Sequence, residues 1–346
     1  MITEQPHAQA LSSDDVGMAR FYRRQAAQAS LGGQFGHPPQ EDQHVPSRRE
    51  FVKQLSGAVA ATLPMPVLFE SVHAESSIRV GYAAITWNEN DQQAISDISA
   101  LGYAGIQLRA NVLTSIGKDP AALRRVLADH HLTFVALSSG NVSVAPDEES
   151  RMIEEHAAHA RWLKDAGGMY LQLIGERPRE RAVEPADYAR LGRLLTEIGR
   201  RTADLGIPVA YHPHVGSLGE KPDEIARVLA ATDERYVRLL LDVAHWQQGG
   251  GDPVKAIHAY RDRLLMLHIK DVRPAPRSGG GAGYQFVELG RGTVDLPGVF
   301  RALREIGFNG WAVVELDSVS DPSRTPAQSA AMSKEYLERV IGAKVG

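Results

Sequence analysis

The stretch from Val237 to Asp271 decides the fold: Val237-Arg238-Leu239-Leu240-Leu241-Asp242, then Pro253-Val254-Lys255-Ala256-Ile257-His258-Ala259-Tyr260, then Leu264-Leu265-Met266-Leu267-His268-Ile269-Lys270-Asp271. Two short apolar runs flank an amphipathic segment that opens on proline, a residue favoured in the first turn of a helix. Runs of this kind read as buried parallel strands, and the helix between them as a crossover. The unit recurs in both directions. Strands are predicted at Arg79–Trp87, Gly105–Leu108, Leu132–Ser138, Met169–Ile174, Pro208–His212, Val237–Asp242, Leu264–Lys270 and Gly310–Leu316. Helices are predicted at Gln92–Leu101, Pro120–His130, Glu148–Ala166, Pro185–Leu205, Pro222–Ala231, Pro253–Tyr260, Leu296–Ile306 and Thr325–Ile341. Several helices end at a glycine (Gly102, Gly167, Gly206, Gly307), the usual asymmetry of helix boundaries. Eight βα units in series predict an α/β fold, a closed (β/α)8 TIM barrel, in preference to an open doubly wound sheet.

The whole chain has 346 residues, of which 43% are hydrophobic and 23% charged, ordinary globular usage that excludes a fibrous or wholly disordered protein. Its net charge of −4 supplies no basic excess, so nucleic acid is not expected as a partner. With no cysteine there is no disulfide, thiolate metal site or cysteine nucleophile. No GxGxxG follows the first strand and no P-loop motif occurs, so dinucleotide and P-loop chemistry are not indicated. The Gly279–Gly281 run in the loop after the seventh strand has no helix directly behind it and reads as a flexible lid segment.

The N-terminal region carries a different signal. Residues 1–46 lack a sustained apolar period and read as a disordered extension. They precede Ser47-Arg48-Arg49-Glu50-Phe51-Val52-Lys53, which resembles the twin-arginine export signal. A modest apolar stretch from Leu55 to Phe69, broken by Pro64 and Pro66, then leads to the small-residue pattern Val72-His73-Ala74. Residues 47–74 therefore read as a signal peptide and residues 75–346 as the barrel domain, with a periplasmic location and the twin-arginine translocase as a transient partner. An amphipathic helix with a basic start is the alternative. The long extension also fits an upstream start assigned in error, with Met18 as one internal alternative.

Function in a barrel is read at the carboxyl ends of the strands. His212, His214, Asp242, His245, His268 and Glu315 all fall there, on the fifth to eighth strands. Strand ends far apart in sequence converge around one axis, so imidazoles and carboxylates from these strands can surround one ion. A mixed N/O donor set suits Mn²⁺, Co²⁺, Fe²⁺, Zn²⁺ or Mg²⁺ rather than Ca²⁺. Taken singly, each histidine is equally well a hydrogen-bonded strand-end residue and each acid a helix cap.

Six segments carry a resemblance. Val80-Gly81-Tyr82-Ala83-Ala84-Ile85-Thr86-Trp87, Ala210-Tyr211-His212-Pro213-His214-Val215-Gly216, Leu241-Asp242-Val243-Ala244-His245, His268-Ile269-Lys270-Asp271-Val272-Arg273-Pro274, Gly290-Arg291-Gly292-Thr293-Val294-Asp295 and Gly310-Trp311-Ala312-Val313-Val314-Glu315 resemble the xylose isomerase-like sugar isomerase/epimerase superfamily, nearest its inosose dehydratase branch. The resemblance spans residues 78–341. It implies a TIM barrel with one divalent metal, usually Mn²⁺, and the ligands it implies are His212, Asp242, His268 and Glu315. Many members carry Glu where this chain has His212, so a two-glutamate proton shuttle is in doubt. DNA-cleaving endonuclease IV shares the fold but needs a three-metal cluster and a DNA-binding face, which the acidic balance disfavours.

Around this set, Glu315, Lys270 and His214 are candidate acid/base groups. Trp87, Arg109, Glu176, His245 and Arg273 are candidate substrate contacts, with packing, ion pairing or solvated loop charge as their bland alternatives. The implied reaction is metal-assisted removal of a proton beside the carbonyl of a keto-sugar or keto-cyclitol, giving an enediolate. Reprotonation then makes an isomerase or epimerase, and loss of a β-hydroxyl makes an inosose dehydratase-type lyase. A non-catalytic exported sugar-binding barrel is a third reading. The partner is a small sugar or cyclitol, and a homo-oligomer is left open.

Overall fold

A computed structural model describes residues 78–277 and 282–345. The twin-arginine segment, the Val72-His73-Ala74 pattern and the Gly279–Gly281 run lie outside the described residues. In chain order the elements are β1 (Arg79–Ala83), α1 (Asp91–Ala100), β2 (Gly105–Arg109), α2 (Pro120–Asp129), β3 (Thr133–Val142), α3 (Glu149–Asp165), β4 (Tyr170–Gly175), α4 (Pro185–Ala203) and β5 (Val209–Tyr211). Then follow α5 (Pro222–Ala230), β6 (Val237–Asp242), α6 (Val243–Gln248), α7 (Pro253–Ala259), β7 (Leu264–Ile269), β8 (Asp271–Pro274), β9 (Tyr284–Val287), α8 (Leu296–Glu305), β10 (Trp311–Val314) and α9 (Pro326–Tyr336). Eight parallel strands close a barrel in the order β1-β10-β7-β6-β5-β4-β3-β2, as the sequence pattern predicts. Among the described residues no helix is long and apolar enough to cross a membrane.

Strand alternation builds two cores from one pattern. Ala83, Val135, Ala136, Ala210, Leu240, Met266, Trp311 and Val313 pack into a cluster of their own, most of them at the inward-facing positions of the strands. The intervening residues, such as Tyr82, Ile106, Leu171, Leu239 and Leu267, pack outward under the helices. Two glycines make room in the barrel. A Cβ on Gly105 would lie 2.7 Å from the Trp311 ring, and one on Gly81 would lie 2.9 Å from the Gly105 carbonyl oxygen. Stepping two residues up the inward face from Ala210, Leu240, Met266 and Val313 gives His212, Asp242, His268 and Glu315. The layer above the apolar plug is therefore polar because the alternation continues one step past it.

The structure departs from the sequence pattern at four places. The first strand ends at Ala83, and Ala84–Trp87 forms a 3-10 turn closed by Asn88 in the left-handed region (φ 47°). A short helix, α6, follows β6 directly because Asp242 caps it, its Oδ1 accepting from the Ala244 and His245 N–H groups at 2.9 Å. The last helix finishes in a π turn at Leu337–Ile341. The loop after β7 holds an antiparallel hairpin, β8–β9, in the register Val272↔Phe286 and Arg273↔Gln285. Asp271 ties the hairpin down. Its carboxylate accepts from the backbone N–H groups of Val272, Gly290, Gly292 and Val294 at 2.8 to 3.1 Å. A Cβ on Gly292 would strike that carboxylate, which accounts for the glycine in Gly290-Arg291-Gly292.

On the other side of the barrel, Ser139 of β3 points away from the axis. Its hydroxyl lies 2.7 Å from His156 Nδ1 and 2.8 Å from His159 Nδ1, both on α3, and all three residues are buried.

Candidate metal centre

Four side chains meet at the carboxyl end of the barrel. Asp242 Oδ2 is 3.5 Å from His268 Nδ1 and 3.8 Å from His212 Nε2, and His268 Nδ1 is 3.4 Å from Glu315 Oε2. All four residues are buried. Three of the converging atoms, His212 Nε2, Asp242 Oδ2 and His268 Nδ1, have no hydrogen-bond partner. Orphaned buried polar atoms are costly, and several aimed at one point are the mark of a missing shared partner. Ligand atoms about 2.0 to 2.2 Å from a single ion stand about 3 to 3.5 Å from one another. The spacings around His268 are that close and the one from His212 to Asp242 is a few tenths of an ångström wider, so Asp242, His268 and Glu315 fit a divalent cation directly and His212 reaches it through a small closure toward Asp242.

The outer ends of the imidazoles are held as well. His268 Nε2 lies 2.9 Å from Gln107 Oε1, so that nitrogen carries the proton and Nδ1 keeps its lone pair for the centre. The Gln172 side-chain amide lies 2.8 Å from His212 Nδ1, while Gln172 Oε1 is orphaned. With the amide turned so that its oxygen accepts from Nδ1–H, both are satisfied and His212 Nε2 is free as a ligand. Asp242 uses one oxygen to cap α6 and offers the other to the centre, so the capping and ligand readings of this residue hold together.

The charge state suits metal binding. Burial alone would raise Asp242 and Glu315, but the Lys270 ammonium beside them outweighs it, holding Asp242 well below the usual carboxylate range and Glu315 at about 2. Burial lowers His212 to about 4 and pushes His245 well below its ordinary value, so these two imidazoles are neutral at pH 7. Lys270 is buried, yet the carboxylates of Asp317, Glu315 and Asp242 overcome desolvation and keep it charged. Three carboxylates against one ammonium leave an excess of two negative charges, which a dication cancels.

The structure places the remaining candidates as follows. Lys270 Nζ donates to Asp317 Oδ1 at 2.6 Å, Glu315 Oε1 at 3.1 Å and His245 Nε2 at 3.2 Å. All three of its donors are thus engaged, and it holds Glu315 with Oε2 turned to the centre. His245 Nε2 is also 3.8 Å from Asp242 Oδ2, so His212, Asp242 and His245 form a second triad sharing that oxygen. The Lys270 contact occupies the His245 lone pair and favours the set containing His268 and Glu315. His214 is half-buried, stacks on His245 with ring centroids 3.7 Å apart, and has Nδ1 2.7 Å from the Val215 carbonyl oxygen. Its Nε2 is left as the accepting nitrogen. Trp87 is buried, with its indole N–H donated to Asp97 at 2.7 Å. Arg109 is half-buried at the end of β2, and Glu176 is exposed just past β4. Arg273 is exposed on the hairpin and donates to Gln285, which puts it on the face opposite Phe286.

Sequence reasoning missed Gln107, Gln172, Asp317 and Phe286. The glutamines carry a readable signal, each a lone polar residue between apolar neighbours in a barrel strand (Ile106-Gln107-Leu108, Leu171-Gln172-Leu173). Phe286 carries none. It reaches the site only through the hairpin, lying 4.1 Å from Lys270 Nζ and 4.8 Å from the His245 ring.

Comparison with known proteins agrees with this architecture. The rhizopine catabolism protein MocC of Rhizobium meliloti is 32% identical over 307 residues, covering 77% of this chain and 90% of its own length. An inosose dehydratase of Geobacillus kaustophilus is 29% identical over 301 residues, covering 76% and 94%. Among solved structures, the IolI protein with a bound zinc atom superposes with a TM-score of 0.66 at 21% identity, covering 77% of this chain and 98% of its own. An L-ribulose 3-epimerase superposes at 0.62 and 18%, covering 77% and 95%, and likenesses at these identities carry the fold. Residues 95–339 match the family described as xylose isomerase-like TIM barrel, and with a closed eight-stranded barrel around them the chain belongs to that family.

Proposed function

We propose that the protein is a divalent-metal-dependent lyase of inosose dehydratase type, removing water from a keto-cyclitol. The carrying observation is the donor set, in which His212 completes a cluster with one glutamate, Glu315. A two-glutamate epimerase has a carboxylate for each face of the substrate carbon. Here the second face has no carboxylate of that kind, and the ammonium of Lys270 is fully engaged. Relatives named inosose dehydratase, matched over 94% and 98% of their own lengths, support the same reading.

When bound by His212, Asp242, His268 and Glu315, a first-row divalent ion such as Mn²⁺ or Zn²⁺ supplies Lewis-acid polarisation of a ketone oxygen, which acidifies the neighbouring C–H. His214 Nε2 is the accepting nitrogen at the mouth and takes that proton. The same imidazolium then returns it to the β-hydroxyl, so that one C–H and one C–O bond break, a C=C bond forms and water leaves. Lys270, pinned by Asp317, keeps Glu315 Oε1 out of the reaction. Phe286 covers the ammonium and keeps water from it.

A second reading, isomerase or epimerase of a keto-sugar, draws on Glu315 and the His214–His245 pair projecting from different strands. Incubating metal-loaded protein with inosose and with keto-hexoses in D₂O separates the readings. A product lighter by one water with new conjugated-ketone absorbance supports the lyase. Deuterium retained at unchanged formula supports the epimerase, and no exchange with any substrate sinks both in favour of a sugar-binding barrel. The Arg48-Arg49 pair further supports export to the periplasm through the twin-arginine translocase.

A further inference from the structure

The hairpin has two faces, and only one belongs to the metal centre. In its register, Phe286 and Tyr284 alternate with Gln285 and Val287. Phe286 lies over Lys270 and His245, with Tyr284 against it at 5.3 Å between ring centroids. On the opposite face a cavity of about 300 Å³ is lined by Arg273, Val287, Arg291, Ser320, Asp321 and Arg324. Three guanidiniums thus converge from separate segments: β8, the loop between β9 and α8, and the loop between β10 and α9.

The charges do not cancel within this cavity. Arg324 pairs with buried Glu288 at 2.9 Å and with Asp321 at 3.1 Å, and is already neutralised. Arg273 donates only to the neutral Gln285 amide oxygen, at 2.8 Å. Among the described residues neither Arg273 nor Arg291 has a carboxylate within the 4.0 Å of an ion pair. The backbone beside Arg291 is fixed before any ligand arrives, because Gly290 N–H and Gly292 N–H both donate to Asp271 Oδ2, at 3.0 and 2.8 Å. Guanidiniums left without a carboxylate are suited to a multidentate oxyanion, for which arginine forks are the usual partner.

We propose that this cavity is an anion site, separate from the metal centre, that takes a phosphate group, either free or as a small monoester, between Arg273 and Arg291. The opposite facing of the hairpin residues makes it a second ligand's site rather than a subsite for the molecule on the metal. Among the described residues Asp321 is the one carboxylate in its lining, and it works against the anion while bracing Arg324.

Isothermal titration of the metal-loaded full chain with inorganic phosphate, at ionic strength held constant with chloride, tests this. Saturable binding with a dissociation constant on the order of a millimolar is expected. Arg291→Ala should weaken it about tenfold and Arg273→Ala/Arg291→Ala should abolish it, with metal content and melting temperature retained in both. Asp321→Asn should tighten it several-fold. Glycerol 3-phosphate distinguishes the sources: equal affinity means that the phosphate group suffices, and tighter binding means that an ester is the ligand. Absence of saturable binding in the parent protein overturns the proposal. So does an unchanged isotherm in the double variant, which would place the phosphate on the metal.

Discussion

Acid should destabilise the fold through the histidine pair behind β3, which shares no residue with the metal centre. The Ser139 hydroxyl lies between His156 Nδ1 and His159 Nδ1 and has one proton to give, so one ring accepts from it and the other donates to it. The accepting ring must therefore be neutral, and burial disfavours charge on the donating one. Burial, with the neighbouring His159 adding, lowers His156 to about 3, and burial lowers His159 to about 4. In the unfolded chain both titrate near 6.5. The unfolded state therefore binds about one more proton than the folded one at pH 6.5 and nearly two more at about pH 5, and stability falls as the pH falls. Each histidine contributes up to about 1.4 kcal/mol per pH unit, reached about one unit below its unfolded pKa, so the pair contributes roughly 3 kcal/mol between about pH 6.5 and pH 5. Against a typical total of about 5 to 15 kcal/mol, that is enough to see by urea unfolding of the metal-loaded protein across this range. His156→Gln and His159→Gln keep a side chain able to bond to Ser139 but remove the titration. Each should flatten the slope by up to about 1.4 kcal/mol per pH unit, and comparison with the parent cancels His212 and His245. A parent-like slope in both variants would refute the buried-neutral account.

Three further outcomes are expected. Asp242→Ala and His268→Ala should each lose the bound metal by elemental analysis while circular dichroism shows an intact barrel; a full equivalent of metal in both would remove the cluster as its site. Gln172→Leu leaves His212 without its outer partner and should weaken metal binding about 10- to 100-fold in a competitive chelator titration, whereas unchanged affinity would mean that His212 needs no such support. Replacing Arg48 and Arg49 by Lys should leave the protein uncleaved in the cytoplasm, and normal periplasmic accumulation by cell fractionation would overturn export by the twin-arginine route.

Much of this molecule is legible in the chain because period and punctuation are local properties. The apolar run Val237–Asp242 and its counterparts, set between helices that open on proline and close on glycine, dictate eight βα units whatever their neighbours do. Once the barrel closes, inward alternation past Ala210, Leu240, Met266 and Val313 places His212, Asp242, His268 and Glu315 in one layer. What tertiary structure alone decides is which atom of each side chain is free. The sequence does not show that Asp242 divides its two oxygens between a helix cap and the centre, or that Gln107 and Gln172 fix the imidazoles from strands far away in the chain. Nor does it show that Lys270 has its donors spent on Asp317, Glu315 and His245, since Asp317 meets it only when β10 pairs with β7. The β8–β9 hairpin is hidden for the same reason. It exists because the Asp271 carboxylate gathers the backbone N–H groups of Gly290, Gly292 and Val294, and a contact across some twenty residues of loop leaves no period in the sequence.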